Sequence, residues 1–217
     1  PFYLSKNHKL FIMRRFDRDE QLNPLGFEDM TTLMGLSAEQ KYSKSYSAIA
    51  KAVRLFCPPE QVPGSLAQLF AMVSLSCMLG NGDAHLKNFG VLYDNAESAV
   101  RLAPIYDLVT TTAYKPADIL ALTLGGTKRW PSAKTLINFA RTHCHMTPAH
   151  AQTLLANLTK ADGLIGGGIG LHPSAVFVRV QIAHRVKRDG LQKHHQSLFF
   201  ARQADTFAQH LCRVGPV

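Results

Sequence analysis

Ser65-Leu66-Ala67-Gln68-Leu69-Phe70-Ala71-Met72-Val73-Ser74-Leu75-Ser76-Cys77-Met78-Leu79-Gly80-Asn81-Gly82-Asp83-Ala84-His85-Leu86-Lys87-Asn88-Phe89-Gly90-Val91-Leu92-Tyr93 reads as helix, loop and strand in that order. Ser65 to Gln68 has capping-box form, and Leu66, Leu69, Phe70, Val73, Cys77 and Met78 follow at helical spacing. The segment is apolar nearly all round, so the spacing predicts a central, buried helix. Gly80 is placed to end it. Asn81 to Asn88 is polar, and Phe89 to Tyr93 is strand-like. Asp94-Asn95 marks a turn, and Ala99-Val100-Arg101-Leu102-Ala103 returns as a second strand. The expected fold class is therefore α+β, mostly helical, with one small β-hairpin.

Working outward, Leu10-Phe11-Ile12-Met13 reads as a buried strand running into the charged turn Arg14-Arg15-Phe16-Asp17-Arg18. Pro24-Leu25-Gly26 breaks the chain. Glu28 and Asp29 then precede a helical pattern, where acidic groups suit the positive end of a helix. Lys41 to Tyr46 reads as a polar loop, and Ile49, Val53 and Leu55-Phe56 as a short helix stopped by Pro58-Pro59. Beyond Thr110 the signals are mostly helical. Thr147-Pro148 forms an N-cap and N1 pair for a helix through Leu155 and Leu158. Gly166 to Gly170 interrupts, and further helices are expected over Ala175 to Val186 and Gln196 to Leu211.

The loop carries the chemistry. Asp83 follows Gly82, which allows a sharp backbone turn. A carboxylate there can accept a hydrogen bond from a substrate hydroxyl and orient it for in-line attack. Asn88 offers a neutral oxygen to Mg²⁺, and Asp107, in Pro104-Ile105-Tyr106-Asp107, a charged one. Mg²⁺ takes one or two protein carboxylates and fills its shell with phosphate oxygens and water. Lys87 can lie over a transferring phosphate. Spacing alone leaves a polar surface turn as an equal alternative.

Composition sets the bounds. The 217 residues, 46% hydrophobic and 18% charged, describe a globular domain or one large lobe. Leu66 to Leu79 is too short to span a bilayer, and the first residues lack the order of a signal peptide. The chain begins at Pro1 in what reads as a strand entering a sheet, so it is expected to be part of a longer protein. Cys57, Cys77, Cys144 and Cys212 form no CxxC pair, Cys77 falls in the apolar helix pattern, and a reducing, cytoplasmic environment is the simpler reading. The formal charge of +9 fits a polyanionic partner and equally a merely basic domain.

The stretches Arg15-Phe16-Asp17-Arg18, Glu28-Asp29-Met30, Lys41-Tyr42, Asn81 to Phe89 and Pro104 to Asp107 together resemble the HipA family of serine/threonine kinases, the toxins of bacterial toxin–antitoxin persistence modules. An Asp, a His two positions on and an Asn five on also marks lipid-kinase loops, but the flanking RFDR and YD favour HipA. The resemblance covers the first half of the chain. It implies a kinase-like C-lobe whose β-hairpin carries the metal site, with residues 1–18 as the end of an N-lobe strand and hinge and 19–217 as the lobe itself. It implies ATP and Mg²⁺ as cofactors, Asp83 as the catalytic aspartate, and Asn88 and Asp107 as the Mg²⁺ ligands. His85, Leu86, Lys87 and Tyr106 would line the phosphates, and Arg14, Arg15 and Phe16 would form the hinge that meets adenine. It further implies an enzyme that phosphorylates a protein serine, on an aminoacyl-tRNA synthetase in known cases. A small DNA-binding antitoxin would hold it, with DNA contacted only indirectly and no membrane.

Two departures stand out. The family's phosphate-covering loop and its strand lysine precede the hinge, and neither Lys6 nor Lys9 matches that lysine. Thr32 stands where the family pattern has glutamine. A non-catalytic, kinase-like fragment that binds a partner is thus the first rival. The second is a nucleic-acid module using the basic residues Arg179, Arg185, Lys187, Arg188, Lys193 and Arg202, although a solvated helix face explains them better. His143-Cys144-His145 and His194-His195 lack the spacing of a zinc site. Trp130 reads as a loop-packing aromatic.

Overall fold

The computed structural model describes residues 15–95 and 97–163. Arg14, the strand expected over Leu10 to Met13, the helices expected after residue 163 and the basic C-terminal third lie outside them. In order, the described elements are β1 (Gly26–Asp29), α1 (Met30–Leu33), α2 (Tyr46–Phe56), α3 (Val62–Met78), β2 (Gly90–Tyr93), β3 (Arg101–Leu102), α4 (Ala133–His143) and α5 (Pro148–Gly163). Short 3₁₀ turns cover Ala38–Tyr42, Leu86–Asn88 and Thr111–Ala113.

Helix α3 is the hub. Leu66, Leu69, Phe70, Val73, Cys77 and Met78 are all buried, as the apolar spacing predicts, and the helix packs against α2, α4, α5 and β3. Burying a side chain such as Phe70 stabilises the fold by about 1.5–3 kcal/mol relative to exposure. Around it, α2 contributes Tyr46, Ile49 and Val53, α4 contributes Leu136 and Phe139, and α5 contributes Ala151 and Leu158. Thr147 starts α5 as expected, its Oγ1 accepting from the His150 N–H at 3.2 Å.

The start of α3 differs from the capping-box expectation. The helix begins at Val62, with Pro63 in its first turn, where the missing N–H costs no internal bond. Ser65 therefore lies inside the helix, and its Oγ accepts from the Leu102 N–H at 3.2 Å. Gln68 donates from Nε2 to the Ala103 carbonyl at 2.7 Å. The polar residues of the expected box thus tie α3 to β3 and to the residue that follows it.

The end of α3 follows the sequence. Gly80 has φ +63°, the Asn81 N–H donates to the Ser76 carbonyl, and the Gly80 N–H to the Cys77 carbonyl. This double bond around a left-handed residue is the Schellman stop.

The sheet has three antiparallel strands in the order β1-β2-β3, one more than the expected hairpin. The extra strand is β1, pairing Gly26 with Tyr93 through Asp29 with Gly90. The chain therefore does not break at Gly26 but pairs from it. Of the expected second strand, Arg101–Leu102 is regular. The segment Lys41 to Tyr46 divides: Tyr42 ends a 3₁₀ turn, whereas Tyr46 opens α2, fully buried, with Ser45 as its cap. The Trp130 indole donates to the Asp118 carbonyl at 2.9 Å, in keeping with a packing role.

Candidate active site

The loop from Gly80 to Phe89 is fixed by its own backbone and by three neighbouring segments. Asn81, only 2% exposed, accepts at Oδ1 from the Asp83 N–H at 3.0 Å, an Asx turn that sets the direction of Asp83. The Gly82 N–H donates to Thr111 Oγ1 at 2.8 Å, and that hydroxyl donates to the Gly80 carbonyl at 3.1 Å. A Cβ on Gly82 would lie 2.4 Å from Asp118 Oδ2 and 2.6 Å from the Ile119 carbonyl oxygen. Glycine is required here for the close approach of two chain segments. From the other side, the buried Tyr46 hydroxyl donates to the Ala84 carbonyl at 3.1 Å.

The loop then closes on Asn88. Its Oδ1 accepts from the His85 N–H at 3.0 Å and its Nδ2 donates to Asp107 Oδ2 at 2.8 Å. The expected pair Asn88 and Asp107, 19 positions apart, is thus in direct contact. Asp107 has φ +53°, a left-handed conformation uncommon outside glycine, which aspartate and asparagine adopt more readily than other side chains. Among the described residues no group of three or more His, Cys, Asp or Glu side chains is placed to hold a metal ion. One carboxylate and one carboxamide nevertheless suit Mg²⁺, which relies on phosphate and water for its remaining ligands. The Asn88 oxygen has two lone pairs and uses one for His85. The donor set fits the ion.

Lys87 turns to the sheet. Its Nζ lies 2.6 Å from Asp29 Oδ2, while Asp29 Oδ1 caps α1 by accepting from the Thr31 and Thr32 N–H groups at 2.9 and 3.0 Å. Burial alone would raise the Asp29 carboxyl. The Lys87 hydrogen bond and the α1 donors outweigh it and hold the group down at about 2. Asp29 therefore anchors Lys87 while starting a helix.

His85 is 6% exposed, and its Nδ1 is buried with no hydrogen-bond partner. Burial, reinforced by Lys41, lowers its pKa, so the ring favours the neutral form and is no fixed cation for a phosphate. Leu86 is fully buried, which leaves its main chain as what it can present to a nucleotide.

Phe16, Phe27 and Tyr106 form an aromatic cluster, with ring centroids of Phe16 and Tyr106 5.2 Å apart and of Phe27 and Tyr106 5.9 Å apart. The Tyr106 hydroxyl donates to the Lys87 carbonyl. The cluster thus joins Phe16, an expected hinge residue, to the loop that follows α3. Arg15 is exposed and pairs with Asp17.

Sequence reasoning assigned no role to Tyr42, whose hydroxyl donates to Asp83 Oδ1 at 2.6 Å. Lys41-Tyr42 belonged to the motif set, yet no spacing rule links a residue to a partner 41 positions on. The Asp29 anchor and the Thr111 brace were missed for the same reason. Elsewhere, burial pushes the Cys77 and Cys144 thiols up to about 12, too high for nucleophiles.

Residues 1–163 match the family described as HipA-like C-terminal domain, and the chain belongs to that family. A Haemophilus influenzae protein named as a candidate kinase is 35% identical over 137 residues, covering 55% of this chain and 38% of the relative. The Sinorhizobium fredii candidate kinase Y4dM is 30% identical over 119 residues, covering 54% of this chain and 28% of the relative. The chain thus spans well under half the length of these relatives. Among solved structures, the complex of HipA, HipB and operator DNA from a Shewanella oneidensis toxin–antitoxin system matches with TM-score 0.59 at 16% identity, covering 93% of this chain and 50% of that one. That likeness establishes a HipA-like fold.

Proposed function

We propose that the chain is the catalytic-loop lobe of a serine/threonine protein kinase that transfers the γ-phosphoryl group of Mg²⁺-bound ATP to a protein hydroxyl. The carrying observation is the 2.8 Å contact of Asn88 with Asp107, at the end of the same braced loop that presents Asp83. Asp83 orients the acceptor hydroxyl for in-line attack on the γ-phosphorus. The new O–P bond forms as the bond from the γ-phosphorus to the bridging oxygen breaks. ADP leaves, and the hydroxyl proton passes to the Asp83 carboxylate. Asn88 and Asp107 would hold Mg²⁺, which supplies charge neutralisation on the phosphates. Phe16 is the proposed hinge contact and Tyr106, packed against it, the proposed phosphate-lining residue; Lys87, whose ammonium is paired with Asp29, would have to exchange that partner to meet a phosphate.

The setting that fits is a toxin–antitoxin module, by analogy with the Shewanella HipA seen with HipB and DNA. The proposed partners are a small DNA-binding antitoxin and a protein substrate, of which an aminoacyl-tRNA synthetase is one candidate. The cysteines Cys57, Cys77 and Cys144 are free and buried, which accords with a cytoplasmic enzyme. Among the described residues no helix is long and apolar enough to cross a membrane.

Calorimetric titration of the full-length protein with ATP, with and without Mg²⁺, tests the reading. The expected result is Mg²⁺-dependent binding that Asp107→Asn weakens at least ten-fold. Binding indifferent to Mg²⁺ and to this substitution would overturn the metal assignment.

A further inference from the structure

We infer that Tyr42 is a positioning residue for Asp83: its phenol fixes one carboxylate oxygen, so that the other is presented to the acceptor hydroxyl. The inference rests on the kinase reading and deepens it. The hydroxyl donates to Asp83 Oδ1 at 2.6 Å, within the range of a charge-assisted O–H···O⁻ bond. An unrestrained aspartate rotates broadly about its last torsion, and a carboxylate turned away from the acceptor loses the alignment that in-line transfer needs.

Tyr42 is itself held from several sides. Its ring meets His85 edge-on, centroids 5.1 Å apart, two residues beyond Asp83. Its hydroxyl is on Asp83, and its carbonyl accepts from Lys128 Nζ at 3.5 Å. Lys41 Nζ also lies over the ring, 5.0 Å from its centroid. A tyrosine serving packing alone would bury its ring and leave its hydroxyl to solvent. Tyr42 is 40% exposed, yet its hydroxyl is bonded to Asp83 and not left to solvent. Burial, followed by the bond to Asp83, raises its pKa to about 12, so it remains a donor across the working pH range.

The full-length protein, γ-labelled ATP and casein as acceptor give the first readout. Tyr42→Phe keeps the ring and is expected to lower kcat roughly ten-fold, the scale of one hydrogen bond to a charged group, with the KM for ATP unchanged within about two-fold. The second readout needs no activity: ¹³C-tyrosine NMR titration is expected to show Tyr42 titrating above free tyrosine and returning toward it in Asp83→Asn. A Tyr42 titration indifferent to Asp83→Asn overturns the inference. So does wild-type kcat in Tyr42→Phe while Asp83→Ala is inactive, an outcome that leaves the kinase reading standing. If the wild type transfers nothing yet the Tyr42 titration depends on Asp83, the kinase reading fails. The positioning role falls with it, and the bond remains as structure only.

Discussion

Asn88 donates to Asp107 Oδ2 at 2.8 Å while its own carboxamide oxygen accepts from the His85 N–H at 3.0 Å. One buried side chain thus closes the loop after α3 and ties it to the segment after β3. Asn88→Ala is expected to lower unfolding free energy by about 1–3 kcal/mol, because it orphans a buried N–H and removes the partner of a carboxylate. Urea denaturation of the two proteins measures this. A loss below about 0.5 kcal/mol would show that the loop is held elsewhere.

Asp29 gives stability an acid limb. Its folded carboxyl lies at about 2 against an ordinary value of 3.8, so between these values the native state binds fewer protons than the unfolded chain. The stabilisation is present above about pH 4 and is lost as pH falls toward 2, and it amounts to about 2 kcal/mol at most. Unfolding at pH 5 and pH 2.5 is expected to differ less in Asp29→Asn than in wild type. Equal differences would contradict the Lys87 and α1 contacts as its cause.

Gly80 and Gly82 fail for different reasons when substituted. Gly80→Ala places a Cβ at φ +63° and 2.1 Å from Thr112 Oγ1, where a side chain can give way. A cost of about 1–2 kcal/mol is expected, largely from the left-handed backbone. Gly82→Ala meets the Ile119 carbonyl at 2.6 Å, and backbone must move. It is expected to displace the loop and reduce Mg²⁺-dependent ATP affinity more than Gly80→Ala does, read by calorimetry on both variants.

Ser65→Ala removes the acceptor for the buried Leu102 N–H. The expected outcome is a loss of about 1–2 kcal/mol, with faster amide hydrogen exchange at Leu102. Unchanged exchange there would mean that α3 does not brace β3 through this bond.

The helix and its stop were legible in the sequence because both rest on local rules: apolar residues at helical spacing from Leu66 to Met78, then a glycine. Asn88 and Asp107 were legible as a pair because a resemblance joined two motifs that spacing alone left open. β1 was not legible, since Gly26-Phe27-Glu28-Asp29 has a single large apolar residue and becomes a strand only by pairing with β2. The box at Ser65 misled because a serine in a helix's first turn can bond a neighbouring strand instead of its own backbone. Tyr42 was invisible as a site residue because its partner comes near only when the turn over 38–42 packs on the loop after Asp83.

The central claim is phosphoryl transfer through Asp83, and the direct measurement is transfer from γ-labelled ATP by the full-length protein beside Asp83→Ala. Label on a serine or threonine of the acceptor or of the protein itself, lost by at least a hundred-fold in Asp83→Ala, is the predicted result. Absence of transfer by the wild type with Mg²⁺ and antitoxin-free protein, or equal transfer by both proteins, would contradict it.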